Sequence, residues 1–114
     1  MKPDTTVYRG RRSKGYAAVT VDDLPLSDDP SLKLANHSPT GFEWSYYGSG
    51  PAQLALAILL DFTGDPDLAL DCYQLFKAAF VGGWPQAGWE IDGAMIRGWL
   101  EQNAALAEVK EETT

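Results

Sequence analysis

GFEWSYYGSGPAQLALAILLD, residues 41–61, decides the fold: an aromatic-rich alternating segment passes through Gly48-Ser49-Gly50-Pro51 into an apolar run from Ala52 to Leu60 broken only by Gln53. From Leu54 to Leu60 the apolar residues cover nearly every side of a helix, the pattern of a helix enclosed by its neighbours. Gly50 is the expected cap and Pro51 the first helical residue, where the missing N–H costs nothing and φ is already helical. Gln53 then stands where a capping-box side chain reaches back to the turn, and Gly64 marks the end. Before the turn, Phe42, Trp44 and Tyr46 alternate with Glu43 and Ser45. That period of two predicts an antiparallel strand with one buried face and leaves Tyr47 pointing the other way.

Working outward, Asp65, Pro66 and Asp67 read as the cap and first turn of a second helix. Its expected inward stripe is Leu68, Cys72, Leu75, Phe76, Ala79 and Phe80, with Gly82-Gly83 as the stop. Trp84 to Trp89 reads as a loop and Trp89-Glu90-Ile91 as a brief strand. Asp92 caps a third helix, with Met95, Ile96, Trp99, Leu100 and Leu106 facing inward and Arg97 spaced to pair with Glu101. Toward the N-terminus, Val7 to Arg12 and Tyr16 to Val21 form a hairpin around Ser13-Lys14-Gly15, and Ala17, Val19 and Val21 share the core face. Asp22 to Pro30 has loop composition, Leu32 to Leu34 suggests a short strand, and Asn36 to Gly41 turns the chain. The sum is an α+β fold, a small antiparallel sheet of three to four strands packed on about three helices. It is expected as one domain over residues 1–114, with frayed ends at 1–6 and 107–114.

A chain of 114 residues buries roughly two-thirds of its unfolded surface, enough for one core. With 45% hydrophobic and 22% charged residues it belongs to the globular class, and its longest apolar run is far short of the roughly 20 residues that span a bilayer. Cys72 is the single cysteine, and no basic-then-apolar-then-small signal precedes the first strand, so a cytoplasmic setting is expected. The formal charge is −7, unevenly placed: residues 1–40 carry six Lys/Arg against five Asp/Glu, residues 41–114 three against eleven. Such a field opposes nucleic-acid binding by the helical half.

The Gly48-Ser49-Gly50-Pro51 turn offers free helix-start N–H groups to an anion. It lacks the lysine and spacing of a P-loop and the third glycine of a dinucleotide fingerprint, so a structural cap whose glycines allow close packing is the favoured reading. Arg9, Arg11, Arg12 and Lys14 form the basic cluster. Alternation puts Arg9 and Arg11 on one strand face and Arg12 on the other, consistent with an edge strand guarded by charge, while phosphate or acidic-partner binding gains if Arg9 or Arg11 reaches the glycine turn. His37, the lone histidine, sits in a turn with no fixed neighbours, which disfavours a nucleophile–histidine relay. One His and one Cys do not make a zinc site. Glu43 and Glu90 beside tryptophans could support a carboxylate pair, but alternation equally places them on solvated faces, and that is the favoured reading. Cys72 falls on a buried stripe as a small hydrophobe.

The YRG at residues 8–10 and GFEWSYYGSGPAQLALAILLDFTGD at 41–65 resemble a family of small bacterial and phage proteins of unknown function, DUF6166, from Tyr8 to about Leu100. The resemblance implies no assigned activity, and the occurrence of such proteins on plasmids and phage genomes implies an accessory role. Where it implies a Trp-Gly-Tyr-Gly-Gly-like run, this chain has Trp44-Ser45-Tyr46-Tyr47-Gly48. The expected function is that of a non-enzymatic interaction or regulatory module whose partner is another protein, with no cofactor, metal, nucleic acid or membrane involved. The alternative is a small-ligand or anion-binding protein, or an enzyme, using the Gly48–Pro51 helix start. The candidate binding residues are Tyr47, Gly48, Ser49, Gly50 and Gln53, with Arg9, Arg11 and Glu43, and no catalytic residue is assigned.

Overall fold

The computed structural model describes the backbone of residues 1–112 and the side chains of residues 1–103. Two strands, β1 (Val7–Ser13) and β2 (Tyr16–Val21), form the expected hairpin. Ser13 still pairs with Tyr16, so the connection is the two-residue Lys14-Gly15 rather than three. Both residues take positive φ, 51° and 84°, as the tight hairpin turn whose twist matches the strands requires. A second two-residue turn, Asp22-Asp23, also with positive φ, folds the short β3 (Leu24–Pro25) back onto β2. The fourth strand, β4 (Gly88–Asp92), lies antiparallel against β1. The order is β3-β2-β1-β4, so β1 is central and not the charge-guarded edge its arginines suggested.

The architecture is α+β, with four helices rather than about three. Two segments expected as strands are not strands. Leu32–Leu34 belongs to α1 (Asp29–Leu34): Pro30 in its first turn supplies a helical φ, and a three-residue alternation does not discriminate strand from a single helical turn. Phe42–Tyr46 forms an irregular loop, because Ser45 adopts φ 76° and a left-handed residue breaks the ladder. It stands where the family resemblance implies glycine. The loop is pinned instead by Trp44, 1% exposed, and by Ser45, whose N–H donates to Val81 O (3.2 Å) and whose hydroxyl donates to Trp84 O (2.6 Å).

The central helix, α2 (Ser49–Thr63), starts two residues earlier than expected, with Gly48 as cap, and ends at Gly64, whose φ of 65° and N–H bond to Leu60 O make a left-handed cap. Leu54, Leu56, Ile58, Leu59 and Phe62 are all fully buried, between the inner face of the sheet, α1 and α3. α3 (Pro66–Ala79) is capped by Asp65, whose carboxylate accepts from Asp67 N and Leu68 N. Its buried stripe is Ala69, Cys72, Tyr73 and Phe76. Leu75 and Ala79, expected inward, are exposed, the stripe being turned so that Tyr73 faces the core. It stops at Phe80, before the glycines, which lie in a 3-10 turn (Val81–Gly83). In α4 (Gly93–Glu112), Asp92 caps Met95 N (2.9 Å), and Ile96 and Leu100 are buried, while Met95 is exposed. The expectations for Leu106 and residues 107–114 lie outside the residues whose side chains are described.

The lead-in at 1–6, expected to fray, is docked. Lys2 N–H donates to Phe62 O (2.8 Å), Thr6 is 2% exposed, and Arg97 binds Asp4 Oδ1 (2.5 Å) and Lys2 O (2.9 Å) instead of Glu101. The side chain of Arg97 thereby ties α4 to the end of α2. The tryptophans organise the other end of the sheet: Trp84 and Trp89 stack at 3.9 Å and Trp44 meets Trp89 edge-on at 5.8 Å. Gly10 pairs with Trp89 across the strands, and a Cβ there would fall inside the indole. The glycine in mid-strand is thus the seat of an aromatic ring.

Candidate functional site

The first turn of α2 is built against two side chains of the preceding loop. The ring of Tyr46 lies over Gly48, where a Cβ would come within 2.6 Å of it, and the stem of Glu43 lies over Gly50 at the same distance. These glycines make room for packing. Among the described residues no side chain caps the helix start, and Ser49 is exposed.

Glu43 is fixed by Arg12: Nη2 donates to Oε2 at 2.6 Å and Nη1 to Oε1 at 3.2 Å. Arg12 also donates from Nε to Gln86 O (2.8 Å), and its guanidinium lies 4.4 Å from the Trp44 ring centroid. Held in this fork and stacked on an aromatic face, Arg12 has its pKa raised, chiefly by the hydrogen bond to Glu43 and against the opposing effect of burial. It reaches this side because β1 alternation points Tyr8, Gly10 and Arg12 inward. Arg12, set aside by the sequence argument, is therefore the arginine beside the glycine turn.

Glu43, Tyr46, Ser49 and Gly50 line a polar cleft of about 430 Å³, closed on the far side by Gly15 and Tyr16 of the hairpin and by Thr40 to Phe42. Tyr16 is 78% and Tyr46 49% exposed. Tyr47, 62% exposed, does not line the cleft; its ring covers Gly82, where a Cβ would again collide, and its carbonyl accepts from Lys77 Nζ (3.4 Å).

Three other candidates are elsewhere. Arg9 and Arg11 lie on the outer face of the sheet, Arg9 paired with Glu90 (2.5 Å) and Asp23 (2.9 Å) and Arg11 bonded to Gly10 O (2.9 Å) and Trp89 O (3.3 Å). Glu43 and Glu90 are consequently bound to arginines on opposite faces and form no carboxylate pair. Gln53 does not cap the turn. It is fully buried, Oε1 accepts from the N–H groups of His37 (2.7 Å) and Ser38 (3.1 Å), and Nε2 donates to Ser31 Oγ (2.9 Å). Its position on the core side of α2 forces this role, because a buried amide needs partners on both ends. The same network gives His37 fixed neighbours that the sequence did not reveal, with Nε2 2.6 Å from Tyr73 Oη. Cys72 is buried, and burial, then the charge of Asp71, push its thiol pKa up, the state of an inert packing residue.

Among the described residues, no three His, Cys, Asp or Glu side chains stand together to hold a metal ion, and no helix is long and apolar enough to cross a membrane. With this geometry in view, the comparison with protein families is decisive for lineage: a family described as a family of unknown function, DUF6166, matches residues 8–102. This chain belongs to the DUF6166 family. The match takes in β1 from Tyr8, the other three strands, α1 to α3, the first half of α4 and the cleft. Neither a comparison with curated proteins nor one with solved structures gives a match to this DUF6166 chain.

Proposed function

We propose that this DUF6166 protein is a non-enzymatic interaction module that grips another protein through the tyrosine-rich corner at the start of α2. The observation that carries the proposal is the seating of exposed aromatic rings on glycines: Tyr46 on Gly48 and Tyr47 on Gly82, both rings largely open to solvent. An exposed tyrosine ordinarily loses rotamer freedom on binding, at a cost of about 0.5–1.5 kcal/mol per side chain. A ring already fixed against backbone has lost that freedom before the partner arrives, which is the advantage of a preorganised aromatic anchor. Tyr16 and Tyr46 both line the cleft, as does Glu43, whose charge is offset by Arg12. The net charge of −7 favours a partner with basic character at its rim. The accessory role in phage or mobile-element biology implied by the family resemblance is compatible with such a module, as is a cytoplasmic setting.

Affinity capture from the native host, with identification by mass spectrometry, tests the proposal. Tyr46→Ala and Tyr47→Ala lower recovery of the captured protein at least about tenfold, the size of a hot-spot loss, while Arg9→Ala leaves it unchanged. Equal recovery for both tyrosine variants and wild type sinks it.

The cleft's size and hydroxyl lining favour a second reading, a small polar ligand at the α2 N-terminus. Thermal stabilisation by phosphate or a carboxylate metabolite, lost in Ser49→Pro but retained in Tyr47→Ala, distinguishes that outcome from a protein interface.

A further inference from the structure

A separate cavity of about 450 Å³ opens between β3, the loop that follows it, α1 and α2. Its walls are mainly Val21, Pro25, Leu26, Pro30, Ala57 and Leu60, and its size falls within the roughly 300–1,000 Å³ of small-molecule sites. Asp61 is the one charged residue among those lining it.

Asp61 is in an unusual place for a carboxylate. It stands in the last turn of α2, where the carbonyl end of the helix disfavours negative charge, and its side chain is only 26% exposed. Two groups hold it there: the Tyr8 hydroxyl donates to Oδ2 at 2.6 Å, and Lys2 Nζ lies 2.8 Å from the same Oδ2. Both take one oxygen. Among the described residues no hydrogen bond is made to Oδ1. Burial first, then the hydrogen bond to Asp61 and the neighbouring negative charges, push the Tyr8 phenol far above its ordinary range, so it remains a donor to Oδ2. The other buried polar group of the lining is committed elsewhere, since Ser31 Oγ donates to Asp28 O and accepts from Gln53 Nε2.

The occupant follows from this chemistry. An anion would meet Asp61 with no lining cation to offset it. A purely apolar molecule would strip water from a carboxylate and give Oδ1 nothing in return. A cation on an apolar body satisfies the walls and the carboxylate together, and the chain's net charge of −7 favours its approach. We propose that this cavity binds a small organic cation, a protonated amine carried on an apolar body, with Asp61 as its counter-ion and Leu26, Ala57 and Leu60 as its apolar seat.

The test is a titration of the intact chain with hexylammonium chloride, followed through backbone amide resonances, with hexanol, hexanoate and methylammonium chloride as comparisons. Hexylammonium is expected to give saturable shifts at Leu26, Ala57, Leu60 and Asp61, hexanol weaker ones, and the other two none that saturate. Asp61→Asn weakens hexylammonium binding at least about tenfold, as loss of a charge-assisted hydrogen bond requires. Asp61 also anchors Lys2 and Tyr8, so Lys2→Met gives an independent readout: it removes the protein's own cation from Oδ2 and tightens hexylammonium binding several-fold. Hexanol binding as tightly as hexylammonium, no saturable shift at these amides, or unchanged or weaker binding in Lys2→Met overturns the proposal.

Discussion

Replacing Gln53 with methionine keeps the length and most of the volume of the side chain while removing every polar atom from its end. In the native structure Oε1 satisfies two backbone N–H groups, His37 at 2.7 Å and Ser38 at 3.1 Å, and Nε2 binds Ser31 Oγ. Methionine leaves both N–H groups without an acceptor in or near the core, at about 1–3 kcal/mol each. Ser31 loses less, because its hydroxyl still donates to Asp28 O. With burial of the thioether offsetting part of the loss, the expected destabilisation is about 3–4 kcal/mol, the Ser38 amide contributing more because it is the more enclosed. An unfolding entropy of about 2.1 cal/mol/K per residue gives roughly 0.24 kcal/mol/K for a chain of this size, hence a fall in Tm of roughly 12–17 °C. Circular dichroism melting measures it. Ser31→Ala, which removes one partner of Nε2, should cost about a third as much. Hydrogen exchange adds a local readout, since the amides of His37 and Ser38 lose protection in Gln53→Met before those of α1 and α2 do. A Gln53→Met variant melting within about 3 °C of wild type, with both amides still protected, would refute the assignment of this side chain as the tie between the 36–41 loop and α2.

Gly10→Ala pushes a methyl group into the Trp89 indole and is expected to destabilise by about 2–3 kcal/mol, with a changed tryptophan emission spectrum; unchanged emission and Tm would show that the ring lies elsewhere. Gly98→Ala is the opposite case: the position is helical, exposed and open to a Cβ, so stability rises by about 0.8–1 kcal/mol, and a drop in the denaturant midpoint would contradict it. Cys72, buried with its thiol pKa raised, should react with a disulfide reagent at about pH 8 at least about a hundredfold more slowly in the native than in the urea-unfolded protein; comparable rates in the two states would mean that α3 is open. Arg97→Ala, which releases Asp4 and the Lys2 carbonyl from α4, should lower stability by about 1–2 kcal/mol and speed exchange at Lys2 and Thr6, whereas wild-type exchange at both would show that the lead-in is held without it.

Long periodic segments and tight turns were the legible part of the chain. The unbroken apolar run of α2, the Asp65-Pro66 start of α3 and the alternation of β2 each carry a local signal strong enough to survive packing. Leu32-Lys33-Leu34 and Phe42–Tyr46 failed for a shared reason: each offers two or three alternating positions, too few to separate a strand from a turn of helix or a pinned loop. Ser45 adds a positive φ that side-chain pattern does not encode. At the site, Glu43, Ser49 and Gly50 were readable because they flank one turn in sequence. Arg12 joins them only through the inward parity of β1, and Tyr16 only through the sheet register, so neither contact was visible from spacing. Gln53 was misplaced because a polar residue in a helix's first turn satisfies the capping pattern whether it faces solvent or core. The tie from His37 to Tyr73 links residues far apart in sequence and left no local trace.

β1 also sets the order in which the molecule can be completed. During synthesis its hairpin partner β2 follows at once, but its other neighbour is not made until the ribosome has passed Ile91, which pairs with Tyr8. Closing so long a loop is slow, and throughout that interval the strand that will be the centre of the sheet is a bare edge, open to pairing with a neighbouring nascent chain. Arg9, Arg11 and Arg12 on that strand supply mutual repulsion between copies while it waits, and each later takes a partner of its own, Glu90, the Trp89 carbonyl and Glu43.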